Sequence, residues 1–209
     1  SQQIDRLIEA KDRASVQSCA FNTKNIVLII GESLGRHHSQ QYGYFMKTTP
    51  RQIALEKAGN LIPFTDVVAP WNLTSFVFKN IFSMHVVGQK GEWCDYPLFP
   101  QLFRKAGYHV SFITNQFLPQ AKEAVYDFSG GFFLNNKELS KSMFDTRNTR
   151  LHTYDEGLLA DYDNKLKAEN REYNLIIFHL IGCHVSYNRR YPADRKHFKA
   201  SDYKQKRPE

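Results

Sequence analysis

The chain has 209 residues, 42% of them hydrophobic, and carries a formal net charge of +7. That length and apolar content suit one domain, or one large piece of a domain, with a real core, and they exclude a disordered polypeptide. The positive charge alone does not make a nucleic-acid binder: none of the usual recognition motifs occurs, and a basic surface equally favours anionic phospholipid or phosphorylated sugar.

Residues 1–24 are polar and helix-compatible, with Ile4, Leu7 and Ile8 forming a short apolar stripe, and read as a linker or leading helix. Ile26 to Ile30 is a continuous aliphatic run, the pattern of a strand buried on both faces of a parallel sheet. Helical patterns follow at Arg51 to Ala58 after Pro50, at Thr74 to Phe82, and at Leu98 to Ala106, where Gly107 is the stop. Tyr108 to Thr114 reads as a second strand, Asp155 to Lys167 as a helix, and Tyr173 to His179 as a third strand. No apolar run approaches the roughly 20 residues that a bilayer-crossing helix needs. The basic residues concentrate near the end, at Arg189, Arg190, Arg195, Lys196, Lys199, Lys204, Lys206 and Arg207. Cys19, Cys94 and Cys183 are too few and too far apart for a zinc knuckle or a redox pair.

Strands alternating with helices predict an α/β fold, a three-layer sandwich around a mostly parallel sheet. Ligands in such folds sit beyond the carboxyl ends of the strands, which singles out Glu32, Asn115 and the stretch His179 to His184. Glu32 follows Gly31, a residue suited to a tight turn. At that strand end its carboxylate could bind a metal, act as a general base or accompany a helix start. Thr74 opens a helix, where unpaired N–H groups favour a nearby anion; a capping role is the competing reading. Within Ile177-Phe-His-Leu-Ile-Gly-Cys-His184, the spacing turns His179 and His184 to opposite faces of a strand. His184, beyond the apolar run, reads as functional and His179 as a packed core residue. The adjacent His37 and His38 read as surface residues.

These pieces also occur together. Gly31-Glu-Ser33, Tyr42-Gly-Tyr44, Thr48-Thr-Pro50, the Thr74 helix, Ile113-Thr-Asn-Gln116, Tyr154-Asp-Glu156 and His179-Leu-Ile-Gly-Cys-His184 with Arg190-Tyr-Pro192 stand in the order seen in the phosphoethanolamine transferases. The chain resembles that family, part of the alkaline phosphatase and sulfatase superfamily, from about residue 25 to about residue 195. The resemblance implies that Glu32 is a zinc ligand and that Thr74 is both nucleophile and zinc ligand. It also implies that Asn115 contacts the phosphoethanolamine group and that His184 binds substrate phosphate or a second zinc.

The implied reaction takes phosphoethanolamine from phosphatidylethanolamine through a covalent Thr74 intermediate to lipid A, lipopolysaccharide core or another glycan. The implied location is the bacterial inner membrane, with the catalytic domain in the periplasm and membrane helices preceding residue 1. Family members continue to an Asp-His pair that completes the Zn²⁺ centre. Residues 25–209 are therefore expected to be the first two thirds of a catalytic domain, binding zinc weakly and inactive alone. Leu73 before Thr74, the lack of nearby cysteine, and Val185-Ser186 after His184 depart from the lipid A enzymes. A phosphoglycerol transferase or phosphatase of the same superfamily, or a non-enzymatic module binding anionic glycans or lipids, are the alternatives. On every version of the enzyme reading, the oxygens of Glu32 and Thr74 must converge on one cation-sized gap.

Overall fold

The computed structural model describes residues 2–71, 73–118, 132–182, 189–198 and 200–202. Among these residues, four strands form one sheet: β1 (Asn25–Ile30), β2 (His109–Thr114), β3 (Thr146–Arg147) and β4 (Asn174–His179), in the order β1-β4-β2-β3. Every pairing is parallel. The α-helices among the described residues are α1 (Gln2–Arg13), α2 (Pro50–Lys57), α3 (Thr74–Phe82), α4 (Phe99–Ala106), α5 (Lys137–Met143) and α6 (Asp155–Asn164).

Side-chain alternation along β2 and β4 divides the core in two. Val110, Phe112, Leu175 and Ile177 face the larger cluster, which takes Leu7 from α1, Phe78 and Phe82 from α3, and Leu139 and Met143 from α5. Ile113, Ile176 and Phe178 face the other way, onto Leu158 and Tyr162 of α6. The result is the expected three-layer α/β sandwich with a parallel sheet in the middle.

The leading segment is helical over its first half, as α1, and irregular from there to β1. Leu7 and Ala10 of α1 are buried, and Arg6 clamps the helix to the turn at residues 93–95 through Asp95, at 2.7 and 2.8 Å. Gly107 closes α4 in the left-handed conformation at φ 111°. Two elements had no expectation attached. α5 begins at Asn136, whose side chain accepts the amide hydrogens of Glu138 and Leu139, a regular N-cap. β3 is two residues long.

One expectation fails. β1 is not covered on both faces: Ile26, Leu28 and Ile30 pack on the larger cluster, but Val27 and Ile29 are 53% and 64% exposed. Among the described residues β1 lies at the edge of the sheet, and the cluster beneath α6 draws its strand residues from β2 and β4.

Candidate active site

The parallel register sets Ile30, His179 and Thr114 side by side at the carboxyl ends of β1, β4 and β2. The residues that follow, Glu32, Leu180 to Gly182, and Asn115 to Gln116, therefore emerge together at one rim of the sheet. The sharp turn after β1 falls on Ser33, at φ 51°, rather than on Gly31, which has no positive φ. Gly182, at φ 47°, packs against this turn; a Cβ there would stand 3.2 Å from the Glu32 carbonyl oxygen.

The start of α3 faces Glu32 across this rim. Thr74 is the first helical residue and Leu73 the N-cap. The Thr74 hydroxyl donates to both carboxylate oxygens of Glu32, at 3.1 and 3.2 Å. The two side chains that the sequence placed at separate elements thus meet, 42 positions apart.

Glu32 is mostly covered, its side chain 12% exposed. Burial pushes its carboxyl pKa up, but the His179 imidazole and the hydrogen bonds from Gln116 and Thr74 outweigh this and hold it below the ordinary range. Gln116 Nε2 donates to Glu32 Oε2 at 3.3 Å and to the Leu180 carbonyl at 3.0 Å. His179 is fully buried, as the sequence suggests, and its Nε2 lies 3.7 Å from Glu32 Oε2. It belongs to the surroundings of Glu32 as well as to the core.

Asn115 is 2% exposed, and both ends of its amide are used within the protein. Its Oδ1 accepts the His152 amide hydrogen at 2.8 Å and its Nδ2 donates to Asp155 Oδ1 at 3.0 Å. Asp155, the first residue of α6, also accepts the backbone N–H groups of Ile181 and Gly182, each at 2.9 Å. A carboxylate with these donors ties the loop after β4 to α6. His184 lies outside the described residues. His37 and His38 are exposed, as expected.

Sequence reasoning thus missed three participants. Gln116 and Asp155 sat inside motifs noted above but carried no role. The proximity of His179 to Glu32 comes from strand register, which no local pattern carries.

The spacing suits a cation. Two oxygens bound to tetrahedral zinc at about 2.0–2.2 Å stand roughly 3.4 Å apart, close to the separations seen here. The donors fit in kind but not in number, since zinc takes three or four protein ligands. Among the described residues no group of three or more His, Cys, Asp or Glu could hold a metal ion. No described helix is long and apolar enough to cross a membrane.

Comparison with known proteins bears on the family and the fold. The phosphoethanolamine transferase EptC of Escherichia coli O18:K1:H7 is 30% identical over 176 residues, 84% of this chain and 30% of its own length. In fold, the chain is similar to the C-terminal periplasmic domain of phosphoethanolamine transferase EptC from Campylobacter jejuni. The TM-score is 0.62 at 21% identity, covering 85% of this chain and 51% of that one. It is also similar to the soluble domain of lipooligosaccharide phosphoethanolamine transferase A from Neisseria meningitidis, with a TM-score of 0.63 at 16% identity, covering 91% and 55%. The chain spans about a third of the curated relative and about half of each solved domain. A family model, Sulfatase, matches residues 24–208. With nearly the whole chain inside that match, the protein belongs to the sulfatase family.

Proposed function

We propose that this chain carries the nucleophile-bearing part of a phosphoethanolamine transferase, with Thr74 as the nucleophile. The observation that supports this most is the bond from the Thr74 hydroxyl to a carboxylate kept ionised in a mostly buried setting. The similarity to three phosphoethanolamine transferases favours this reaction over others run by sulfatase-family members.

In the first step Thr74 Oγ attacks the phosphorus of phosphatidylethanolamine. A phosphorus–oxygen bond to Thr74 forms, and the bond to diacylglycerol breaks. The departing oxygen keeps the electron pair and takes up a proton, which balances the one the Thr74 hydroxyl gives up. A hydroxyl of the acceptor then attacks the same phosphorus and gives up its proton, while the Thr74 oxygen leaves with the electron pair and regains one, giving two displacements in series. Glu32 fixes the Thr74 rotamer and draws its hydroxyl hydrogen toward the protein. Zinc held by Glu32, Thr74 and ligands outside the described residues would supply Lewis-acid assistance in ionising that hydroxyl. Asn115 acts at one remove in this reading: through Asp155 it braces the Ile181-Gly182 turn that leads to His184. His184 is assigned to the substrate phosphate.

The acceptor is proposed to be lipid A, lipopolysaccharide core or a related glycan, and the setting the periplasmic face of the bacterial inner membrane. The periplasmic and lipooligosaccharide descriptions of the structural relatives support both.

The test is to incubate the natural full-length protein with phosphatidylethanolamine and weigh the peptide containing Thr74. A phosphoethanolamine adduct that disappears in Thr74→Ala supports the assignment. A phosphoglycerol adduct would move the protein to a sister transferase, and wild-type modification of the acceptor by Thr74→Ala would remove Thr74 from the chemistry.

A further inference from the structure

Among the described residues His179 is the one fully buried histidine of the rim, and the proposed chemistry above does not use it. Its ring is packed among Phe78, Phe117 and Phe112, with centroids 4.7, 4.6 and 6.4 Å away. An inert core position would be filled as well by phenylalanine. The hydrogen bonds around the ring say otherwise.

His179 Nδ1 lies 3.0 Å from Thr114 Oγ1. That oxygen already accepts two backbone amide hydrogens, from Gln116 at 3.1 Å and Phe117 at 3.0 Å. A hydroxyl oxygen has two acceptor sites and one proton. With both sites filled, the Thr114 proton is what remains for His179, so Nδ1 accepts and carries no hydrogen. The ring is then neutral and its single N–H is on Nε2, the atom 3.7 Å from Glu32 Oε2.

Gln116 agrees with this assignment. Its Nε2 uses one hydrogen on Glu32 and the other on the Leu180 carbonyl. Flipping the amide would set its oxygen against two acceptors at 3.3 and 3.0 Å, so the orientation is fixed by its neighbours. With the hydrogen on Nε2, the 3.4 Å contact between Gln116 Nε2 and His179 Nε2 pairs two donors, and the Nδ1–H tautomer would instead make His179 the acceptor there.

We propose that Thr114 locks His179 in the Nε2–H tautomer, making His179 a positioning residue that presents a fixed N–H dipole to Glu32 and so aims the carboxylate at Thr74. The chain of contacts runs from the end of β2 through the end of β4 to the turn after β1. A carboxylate that binds a metal or orients a nucleophile is commonly held this way by a partner behind it. The functional meaning rests on the reading of Glu32 and Thr74 given above; the tautomer does not, and it is measured without any reaction.

Long-range ¹H–¹⁵N correlation spectra of the 209-residue chain, labelled at the imidazole nitrogens, read the tautomer directly at neutral pH. His179 is assigned as the ring that vanishes in His179→Phe, a variant the aromatic surroundings accommodate. The expected result is one bare nitrogen at Nδ1 and one protonated nitrogen at Nε2. Thr114→Val should lower the ratio of Nε2–H to Nδ1–H by roughly five-fold, the equivalent of one net hydrogen bond. Thr114→Ser should restore it. The Glu32 carboxyl ¹³C resonance should move with the tautomer in Thr114→Val and return in Thr114→Ser, which a purely structural role for Thr114 does not predict. A Nδ1–H tautomer or an imidazolium ring in the wild type overturns the proposal, and so does a Glu32 resonance indifferent to Thr114. The wild-type spectrum decides even where Thr114→Val fails to fold. Absence of a Thr74 adduct in the preceding experiment would leave the tautomer result standing, so the two failures are separable.

Discussion

Replacing Thr74 by valine removes one oxygen and leaves the β-branched shape that starts α3 unchanged. The lost interaction is a hydroxyl donating to an ionised carboxylate that is 12% exposed. Hydrogen bonds to charged groups contribute about 1.5–3 kcal/mol. Here the single hydrogen is shared between oxygens at 3.1 and 3.2 Å, longer than the roughly 2.5–2.7 Å of strong charged pairs, which argues for about 1.5 kcal/mol. Glu32→Gln keeps shape but removes the charge, and it disturbs Gln116 and His179 as well, so each single change overstates the pair. The double-mutant cycle isolates it, with an expected coupling of about 1–1.5 kcal/mol. In urea unfolding with a slope of about 2–3 kcal/mol per molar, Thr74→Val should lower the midpoint by roughly 0.5–0.7 M with no change in slope. Coupling under about 0.3 kcal/mol, the range of unconnected sites, would mean that the two side chains do not interact in solution, and the shared site would fail with it.

Three further outcomes follow from the same rim and its supports. Gly182→Ala places a side chain in a left-handed conformation 3.2 Å from the Glu32 carbonyl. It should cost about 1–2 kcal/mol and shift the Glu32 and Ser33 amide resonances; unchanged resonances would contradict the packing. Asp155→Asn cannot accept both amide hydrogens equally, so hydrogen exchange at Ile181 and Gly182 should quicken at least ten-fold, with β4 itself little affected. Lastly, the hydrogen bond from Arg6 lowers the Asp95 carboxyl below its usual value of 3.8. The folded pKa lies under the unfolded one, so the contribution is present above about pH 4 and is lost as pH falls through the folded value. Exchange at α1 amides, compared at equal intrinsic rate, should therefore rise below about pH 4 before the sheet opens. Asp95→Asn should loosen α1 at neutral pH and remove that dependence.

Much of the architecture is readable because parallel strands announce themselves. β1, β2 and β4 are short apolar runs with polar ends, and Pro50 and Gly107 mark a helix start and a helix stop. Thr74 as the first residue of α3 is equally local. The rest depends on what packs against what. The run Ile26 to Ile30 states what the strand could bury, but the exposure of Val27 and Ile29 depends on which helix lies over the edge strand. α5 did carry a signal, the Asn136 cap, in a stretch with no strong periodicity. At the site, Glu32 was legible from its place after a buried strand. Gln116 and His179 were not, because their contacts with it join three segments separated by as many as 147 positions and are made only once the register is set.

That register has a consequence for how the sequence can vary. Phe178 and His179 are neighbours on β4 with opposite orientations, one toward α6 and one toward Glu32. Sliding β4 by a single residue would preserve most backbone pairing, yet it would trade the imidazole for a phenyl ring beneath the carboxylate. Insertions or deletions within Asn174–His179 should therefore be far more damaging than point changes between aliphatic residues there, since the strand works as a ruler as much as a wall.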